Sequence, residues 1–380
     1  MGPLHTQAFR RALRPPSRLS SCGGGLLTAP APHRVLLLTP GFPADEQDSL
    51  CIPPLQLMLR ELSVQYPDLD VTVLALHYPS KRRRYRWHGI EVRALGRANH
   101  RWPLRLIDLA RARRLAGRLH KEQSFSHVHA LWLTDAALVA SSITRSWACP
   151  WSVTAMGQDV LPSNRYLSRL SRGSTQVITI SDRAAATLEQ SSGKAAARVI
   201  PWGIDPPPEV LPEWNARPID VLGVGSLIEL KRWSLLLDVC GRLAADNPTH
   251  RTVLVGDGPL RAQLEAEARE HGLANHLVFT GELPRPEVLR LMKKARVLLH
   301  PSRFEGQGFV FSEALSRGMS LVSGPVGTAA PSERWRVTEP KNLASECSHI
   351  LRHPPSTSGL ILHALEDTVA AYADLWGMDQ

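Results

Sequence analysis

The sequence predicts an α/β protein built as two parallel-sheet halves on either side of a cleft. Length sets the number of halves: 380 residues exceed the usual reach of one hydrophobic core, so two domains of roughly 150 to 200 residues each are expected. Patterning sets their class. Short apolar runs recur with helix-length segments between them, the mark of parallel βαβ units. The cluster Pro206-Pro207-Pro208, followed by Pro212, separates two such series and reads as a linker.

Residues 1–32 are rich in Pro, Gly, Ser and Arg without apolar periodicity, which predicts a disordered lead-in. Folding is expected to begin at RVLLLT, 34–39, where consecutive apolar residues end at Pro40-Gly41 as in a strand buried on both faces. VTVLAL (71–76), HVHALWL (127–133) and WSVTAM (151–156) continue the first series, and RWPLRLIDLARARRLAGRLH supplies a helix between two of them. IDVLGVG (219–225), RTVLVG (251–256), HLVFTG (276–281) and RVLLHPS (296–302) form the second series, with helical stretches such as SLLLDVCGRLAAD. Several second-half strands end in glycine just before a helix. Ligands of open parallel sheets sit beyond the carboxyl ends of the strands, where helix N-termini present unpaired N–H groups, so phosphate is the expected ligand class there.

A hydrophobic content of 43% and a charged content of 21% suit a globular chain. No apolar run reaches the roughly 18 to 20 residues of a membrane-spanning helix. The cysteines are odd in number and scattered, with no C-x-x-C pair, which fits a reducing, cytoplasmic setting better than a disulfide framework or a zinc site. The net charge of +10 is concentrated: residues 81–121 hold fourteen Lys and Arg against Glu91 and Asp108. Such a field attracts anions. No nucleic-acid-binding motif accompanies it, so nucleic acid is not an expected partner. Two readings of the stretch stay open: an arginine-rich solvated helix, or weak, salt-sensitive docking at the face of an anionic membrane.

In RFEGQGFVFSEALSRG, 303–318, a strand ending at His300-Pro301-Ser302 runs into a loop with two glycines and then a helix from about Phe309. Gly306 and Gly308 would let backbone approach a ligand, and the helix start would supply N–H donors. Glu305 falls in the loop at the cleft, and Glu313 one turn into the helix, i+4 to Phe309. Taken alone, both glutamates could be solvated surface charges.

With VLGVGSLIELKRW, VLVGDGPLRAQLE, VFTGELPRPEVLRLMKKARVLLHPS, VIPWGID and SGPVGT, these residues closely resemble the donor-side pattern of the family 4 retaining glycosyltransferases. The resemblance runs in order from about 34 to about 330 and is dense from 199 to 328. It implies the GT-B fold: two Rossmann-like parallel-sheet domains facing a central cleft. The corresponding division is an acceptor-side domain at 33–205, a nucleotide-sugar donor domain at 206–345, and a C-terminal helical segment at 346–380 that returns toward the first domain. The E-x7-E pair, Glu305 and Glu313, is the family signature. Glu305 then looks like the carboxylate beside the transferred sugar, and Glu313 like the holder of the ribose hydroxyls. Backbone around Gly306, Gly308, Phe309 and Val310 would meet the diphosphate and sugar, Gly225 would close the first donor-side strand, and Gly281, Glu282 and Leu283 would border the base. Lys231 matches the cation that stabilises the departing diphosphate.

The resemblance also implies retention at the anomeric carbon, a nucleoside diphosphate sugar as donor substrate and no cofactor. Metal is not required by this reading, and no histidine cluster demands one. The acceptor class it suggests is a glycan or lipid-linked glycan of cell-envelope polysaccharide assembly. Departures from the pattern sit at Ser226, where a second diphosphate cation is usual and Arg232 is the available substitute, and at Met156, where a sugar-contacting histidine is usual. His129 and Trp132 are candidates to line the sugar site, although a histidine there fits a structural role equally well. Gly41, Met156 and Asp159 mark the acceptor-side loops, Asp159 as a brace. Trp202 replaces the usual asparagine of the hinge, leaving Gly203 and Asp205 to match. The rival reading, prompted by Ser226 and Met156, is a catalytically silent GT-B protein that binds nucleotide sugar or partners another transferase.

Overall fold

The computed structural model describes residues 33–96, 104–167, 176–207 and 210–378; the lead-in expected at 1–32 lies outside them. Strand β1 (His33–Gly41) is the centre of an eight-stranded sheet. Its apolar run is buried because both faces are covered. Val35 and Leu37 pack with helix α1 (Pro53–Gln65), while Leu36 and Leu38 pack on the other side with α2 (Leu104–Glu122) and α3 (Asp135–Trp147). Consecutive side chains point to opposite faces, so four apolar residues in a row require cover on both sides. β2 (Leu69–Tyr78) and β5 (His127–Leu131) flank β1 in parallel, Val35 lying opposite Val71 and His127. Beyond β5 follow β6 (Trp151–Ala155), β7 (Gln176–Thr179) and β8 (Arg198–Val199), with α4 (Asp182–Ser192) between the last two.

The far edge departs from the parallel plan. Inside the arginine-rich stretch, β3 (Arg83–Trp87) and β4 (Ile90–Ala94) form an antiparallel hairpin. Its two-residue turn, His88-Gly89, has positive φ at both positions (43° and 83°), the backbone that a tight hairpin needs to match strand twist. Alternation in Tyr85, Trp87, Ile90, Val92 and Ala94 was the available signal, masked in the sequence by the density of arginine.

The second sheet has six parallel strands in the order β11-β10-β9-β12-β13-β14: β9 (Ile219–Val224), β10 (Thr252–Val255), β11 (Leu277–Gly281), β12 (Ala295–His300), β13 (Ser320–Ser323) and β14 (Trp335–Val337). Val221, Val297 and Leu299 face α5 (Ser234–Asp246), α6 (Arg261–Glu270) and α9 (Leu343–Arg352). Leu222 and Leu298 face α7 (Arg285–Lys294) and α8 (Phe309–Ser316). α9 buries Leu343, Cys347 and Ile350 against this second sheet, so a boundary between 345 and 346 would cut a helix in two. The crossover back lies after it. α10 (Leu365–Leu375) places Val369, Tyr372 and Trp376 in the core of the first sheet beside Trp202. None of the described helices is long and apolar enough to cross a membrane.

Candidate active site

β12 ends at His300 on the carboxyl edge of the second sheet, and the chain then turns through 301–308 before α8. His300 is 1% exposed, wedged edge-on between Trp233 and Phe311 at 6.0 and 5.1 Å between ring centroids. Its Nε2 lies 2.6 Å from Glu305 Oε1. Lys231, at the end of the short turn Glu229–Lys231 that follows β9, donates its Nζ to the same carboxylate oxygen. Both donors meet on Oε1, and Oε2 has no hydrogen-bond partner among the described residues. Burial keeps the His300 ring neutral by lowering its pKa, although Glu305 pulls the other way. Burial alone would raise the Glu305 carboxyl; the hydrogen bond from His300 and the Lys231 ammonium outweigh it and bring it down to about 2. A fixed anion and a fixed cation therefore share one end of the cleft.

Glycine is required where these strand ends converge. Gly225 has φ 150°, and a Cβ on neighbouring Gly256 would stand 2.0 Å from the Gly225 carbonyl oxygen. Ser226 is exposed, and its carbonyl accepts the Trp233 indole N–H at 3.0 Å, which anchors the loop carrying Lys231. Arg232 does not supply a second cation here. Its guanidinium donates to the carbonyls of Pro301 and Ser302 at 2.7 and 3.3 Å, so it fastens the end of β12 to the Lys231 turn.

Gly308, with φ 80°, caps α8, and a Cβ there would lie 2.2 Å from the Phe311 ring. The N–H groups of Phe309 and Val310, in the first turn, have no acceptor among the described residues, as expected of a helix start open to a ligand. Glu313 is buried, and Arg285 at the start of α7 donates Nε to its Oε1 at 2.7 Å. Sequence reasoning missed this arginine because the pair is made between two helices 28 residues apart. Leu283 packs half-buried against the core beneath α7 and α8, next to Gly281, whose φ is 75°.

The first domain closes over the same loop. A Cβ on Gly306 would stand 2.4 Å from the Met156 carbonyl oxygen, and Ser181 Oγ donates to the Gly306 carbonyl at 2.5 Å. Gly306 is thus demanded by the approach of the opposite domain. Gln307, 3% exposed, exchanges two bonds with the hinge: its Oε1 accepts from Trp202 N–H at 2.8 Å and its Nε2 donates to the Trp202 carbonyl at 2.7 Å. Arg183 of α4 donates to the carbonyls of Gly327 and Ala329 at 2.9 and 2.7 Å. Phe309 packs against the core of the first sheet.

On the acceptor side, Asp159 braces its loop by accepting backbone N–H from Leu133, Met156 and Gly157 at 2.9, 3.1 and 2.7 Å. Burial raises its pKa and these bonds counter the rise. Gly41 closes β1 with Cys51 and Tyr78 against it. His129 is corrected to a core residue: it is fully buried, with Nδ1 and Nε2 bonded to the hydroxyls of Ser152 and Thr154 at 2.7 and 3.1 Å, and Tyr372 and Trp376 pack on its ring. It points from a mid-strand position into the sheet packing, so it touches no cleft. Trp132, just after β5, is half-buried at the cleft end with φ 66°.

Two family descriptions match the chain: Glycosyl transferases group 1 over residues 212–333 and Glycosyl transferase 4-like domain over residues 56–203. The 2-deoxystreptamine glucosyltransferase of Streptomyces kanamyceticus is 34% identical over 174 residues, 41% of this chain and 44% of that protein. The O-antigen chain mannosyltransferase C of Escherichia coli is 35% identical over 109 residues, 28% of each chain. These alignments span less than half the length of either relative. Among solved structures, sucrose-phosphate synthase of Thermosynechococcus elongatus superposes with a TM-score of 0.72 at 18% identity, over 91% of this chain and 97% of that one. Anabaena HepE, solved with UDP and glucose, gives 0.62 at 18% identity, over 90% and 95%. With both halves of the fold matched in order, and Glu305 and Glu313 carried by the loop and helix that follow β12, the chain belongs to the family 4 GT-B glycosyltransferases.

Proposed function

We propose that the chain transfers a hexose, with retention, from a nucleoside diphosphate sugar to a glycan or lipid-linked acceptor in cell-envelope polysaccharide assembly. The observation that carries this reading is the convergence of Lys231 and His300 on Glu305, at a cleft edge where the first turn of α8 offers open N–H groups. Glycosyl transfer breaks the bond from the anomeric carbon to the diphosphate and forms one to the acceptor oxygen. Negative charge grows on the departing phosphate, and a cation held in a closed site stabilises it most where water is excluded. Lys231 supplies that cation, and its pairing with Glu305 orients it before the donor arrives. The N–H groups of Phe309 and Val310 hold the phosphates, and Glu313 takes the ribose hydroxyls. The acceptor proton leaves with the phosphate oxygen on the same face, so no enzymic nucleophile is required. This differs from glycoside hydrolysis, where two carboxylates flank the scissile bond.

Relatives support the classes named: HepE was solved with UDP-glucose, and an O-antigen mannosyltransferase is among the sequence matches. Slow donor hydrolysis without acceptor, measured over UDP-, GDP- and ADP-sugars, tests the reading. One donor should turn over, and Glu305→Ala and Lys231→Ala should each slow it roughly 100-fold or more. A donor that binds without turnover, unaffected by either change, would establish the silent nucleotide-sugar binder instead.

A further inference from the structure

His300 is a buried titratable group to which the proposed transfer assigns no step. It is the last residue of β12, and its ring is fixed from both sides. Trp233 and Phe311 meet the imidazole edge-on, at interplanar angles of 90° and 89°. Each of those rings is itself held. The Trp233 indole N–H donates to the Ser226 carbonyl, and buried Phe311 packs against Trp335 at 4.8 Å between centroids. A cage of this kind leaves the two imidazole nitrogens unequal: Nε2 meets Glu305 Oε1 at 2.6 Å, while Nδ1 is buried without a hydrogen-bond partner among the described residues.

That inequality selects one protonation state. A proton on Nδ1 would bury an unpaired N–H donor and aim the Nε2 lone pair at a carboxylate. A proton on Nε2 satisfies the carboxylate and leaves only a bare acceptor in the apolar cage. Charging both nitrogens is opposed by burial and by the nearby Lys231 ammonium, which together outweigh the pull of Glu305. His300 is thus a neutral donor with one target. Lys231 donates to the same oxygen, but its ammonium sits on a flexible stem and a diphosphate competes for it. The caged imidazole cannot follow. Oε1 therefore keeps a donor whether or not Lys231 stays.

We propose that His300 is a positioning residue for the transfer: its Nε2–H holds the Glu305 carboxylate in one orientation, so that Oε2 remains available to a hydroxyl of the transferred sugar when Lys231 turns to the diphosphate. The role rests on the reading of Glu305 as the carboxylate beside that sugar.

The test compares His300→Phe, which keeps a ring in the cage and removes the donor, with His300→Gln, whose amide N–H reaches the place of Nε2. Donor hydrolysis should slow roughly 10- to 100-fold in His300→Phe, the weight of a hydrogen bond to a charged group, and His300→Gln should recover most of the loss. Calorimetry with UDP-glucose, GDP-mannose and ADP-glucose against UDP, GDP and ADP separates positioning from packing. His300→Phe should bind the nucleoside diphosphate within about twofold of the parent and lose about fivefold or more in affinity for the matching sugar nucleotide. Because His300 acts through Glu305, Glu305→Ala/His300→Phe should be no slower than Glu305→Ala, within about twofold. Losses that multiply in the double variant, parent-like turnover in His300→Phe, no recovery in His300→Gln, or equal loss of affinity for the diphosphate and the sugar nucleotide would overturn the role. His300→Leu takes the same measurements if His300→Phe shows no cooperative melt. A parent that binds these donors without turning them over fails the transfer reading and leaves His300 to be judged by the affinity ratio; a parent that binds none of them overturns both.

Discussion

At the scale of single residues, burial separates working side chains from structural ones. His129 lies mid-strand in β5 and His300 ends β12, and both are almost wholly buried. His300 spends its Nε2 on a carboxylate of the cleft, whereas His129 spends both nitrogens on the hydroxyls of neighbouring strand β6. Replacing His129 with Leu should therefore cost stability and not chemistry. Leaving Ser152 and Thr154 without their shared partner costs about 1 to 3 kcal/mol, which a fall in Tm would report. Donor turnover per folded molecule should stay within about twofold of the parent. A large loss of turnover at unchanged Tm would return His129 to the site.

Among elements, the turn from β12 into α8 carries the greatest constraint. In eight residues it presents Glu305, meets the first domain through Gly306 and Gln307, and starts a helix whose first N–H groups are open. Gly308 makes the start possible because the left-handed backbone at φ 80° and the Phe311 ring leave no room for a side chain. Gly308→Ala should destabilise by about 1 to 3 kcal/mol from backbone strain, with steric clash adding to it. Displacing the first turn of α8 should also weaken nucleotide binding more than the stability loss explains. Calorimetric titration with nucleoside diphosphates alongside a thermal melt separates the two, and unchanged affinity in the folded variant would refute the role given to that turn.

For the whole molecule, the two sheets are held together by polar contacts, buried between Ser181 and Gly306 and between Gln307 and Trp202, and partly buried from Arg183 to Gly327 and Ala329. Gln307→Ala deprives the Trp202 main chain of two bonds. It should lower Tm and, because closure depends on these contacts, increase the radius of gyration in small-angle scattering while raising the KM for donor. An unchanged radius and KM would confine Gln307 to local packing. Much of this architecture was legible in the sequence. The apolar runs at 34–39 and 219–225, the strand-end glycines and the E-x7-E spacing are local patterns, and local patterns report backbone class and the identity of the donor-side loop. The β3–β4 hairpin was hidden because the arginines between its apolar positions dominate the composition. Arg285, Gln307 and the second role of Gly306 were not legible at all, since each acts on a residue at least 28 positions away. By itself the sequence determined two parallel α/β halves and the strand–loop–helix run that carries Glu305 and Glu313, because strand and turn chemistry is set by neighbours along the chain. Only the tertiary structure decided that His129 is core, that Arg232 is fastened to carbonyls and that Glu313 is paired with Arg285. Burial and hydrogen-bond partnership depend on what other segments bring to the same place.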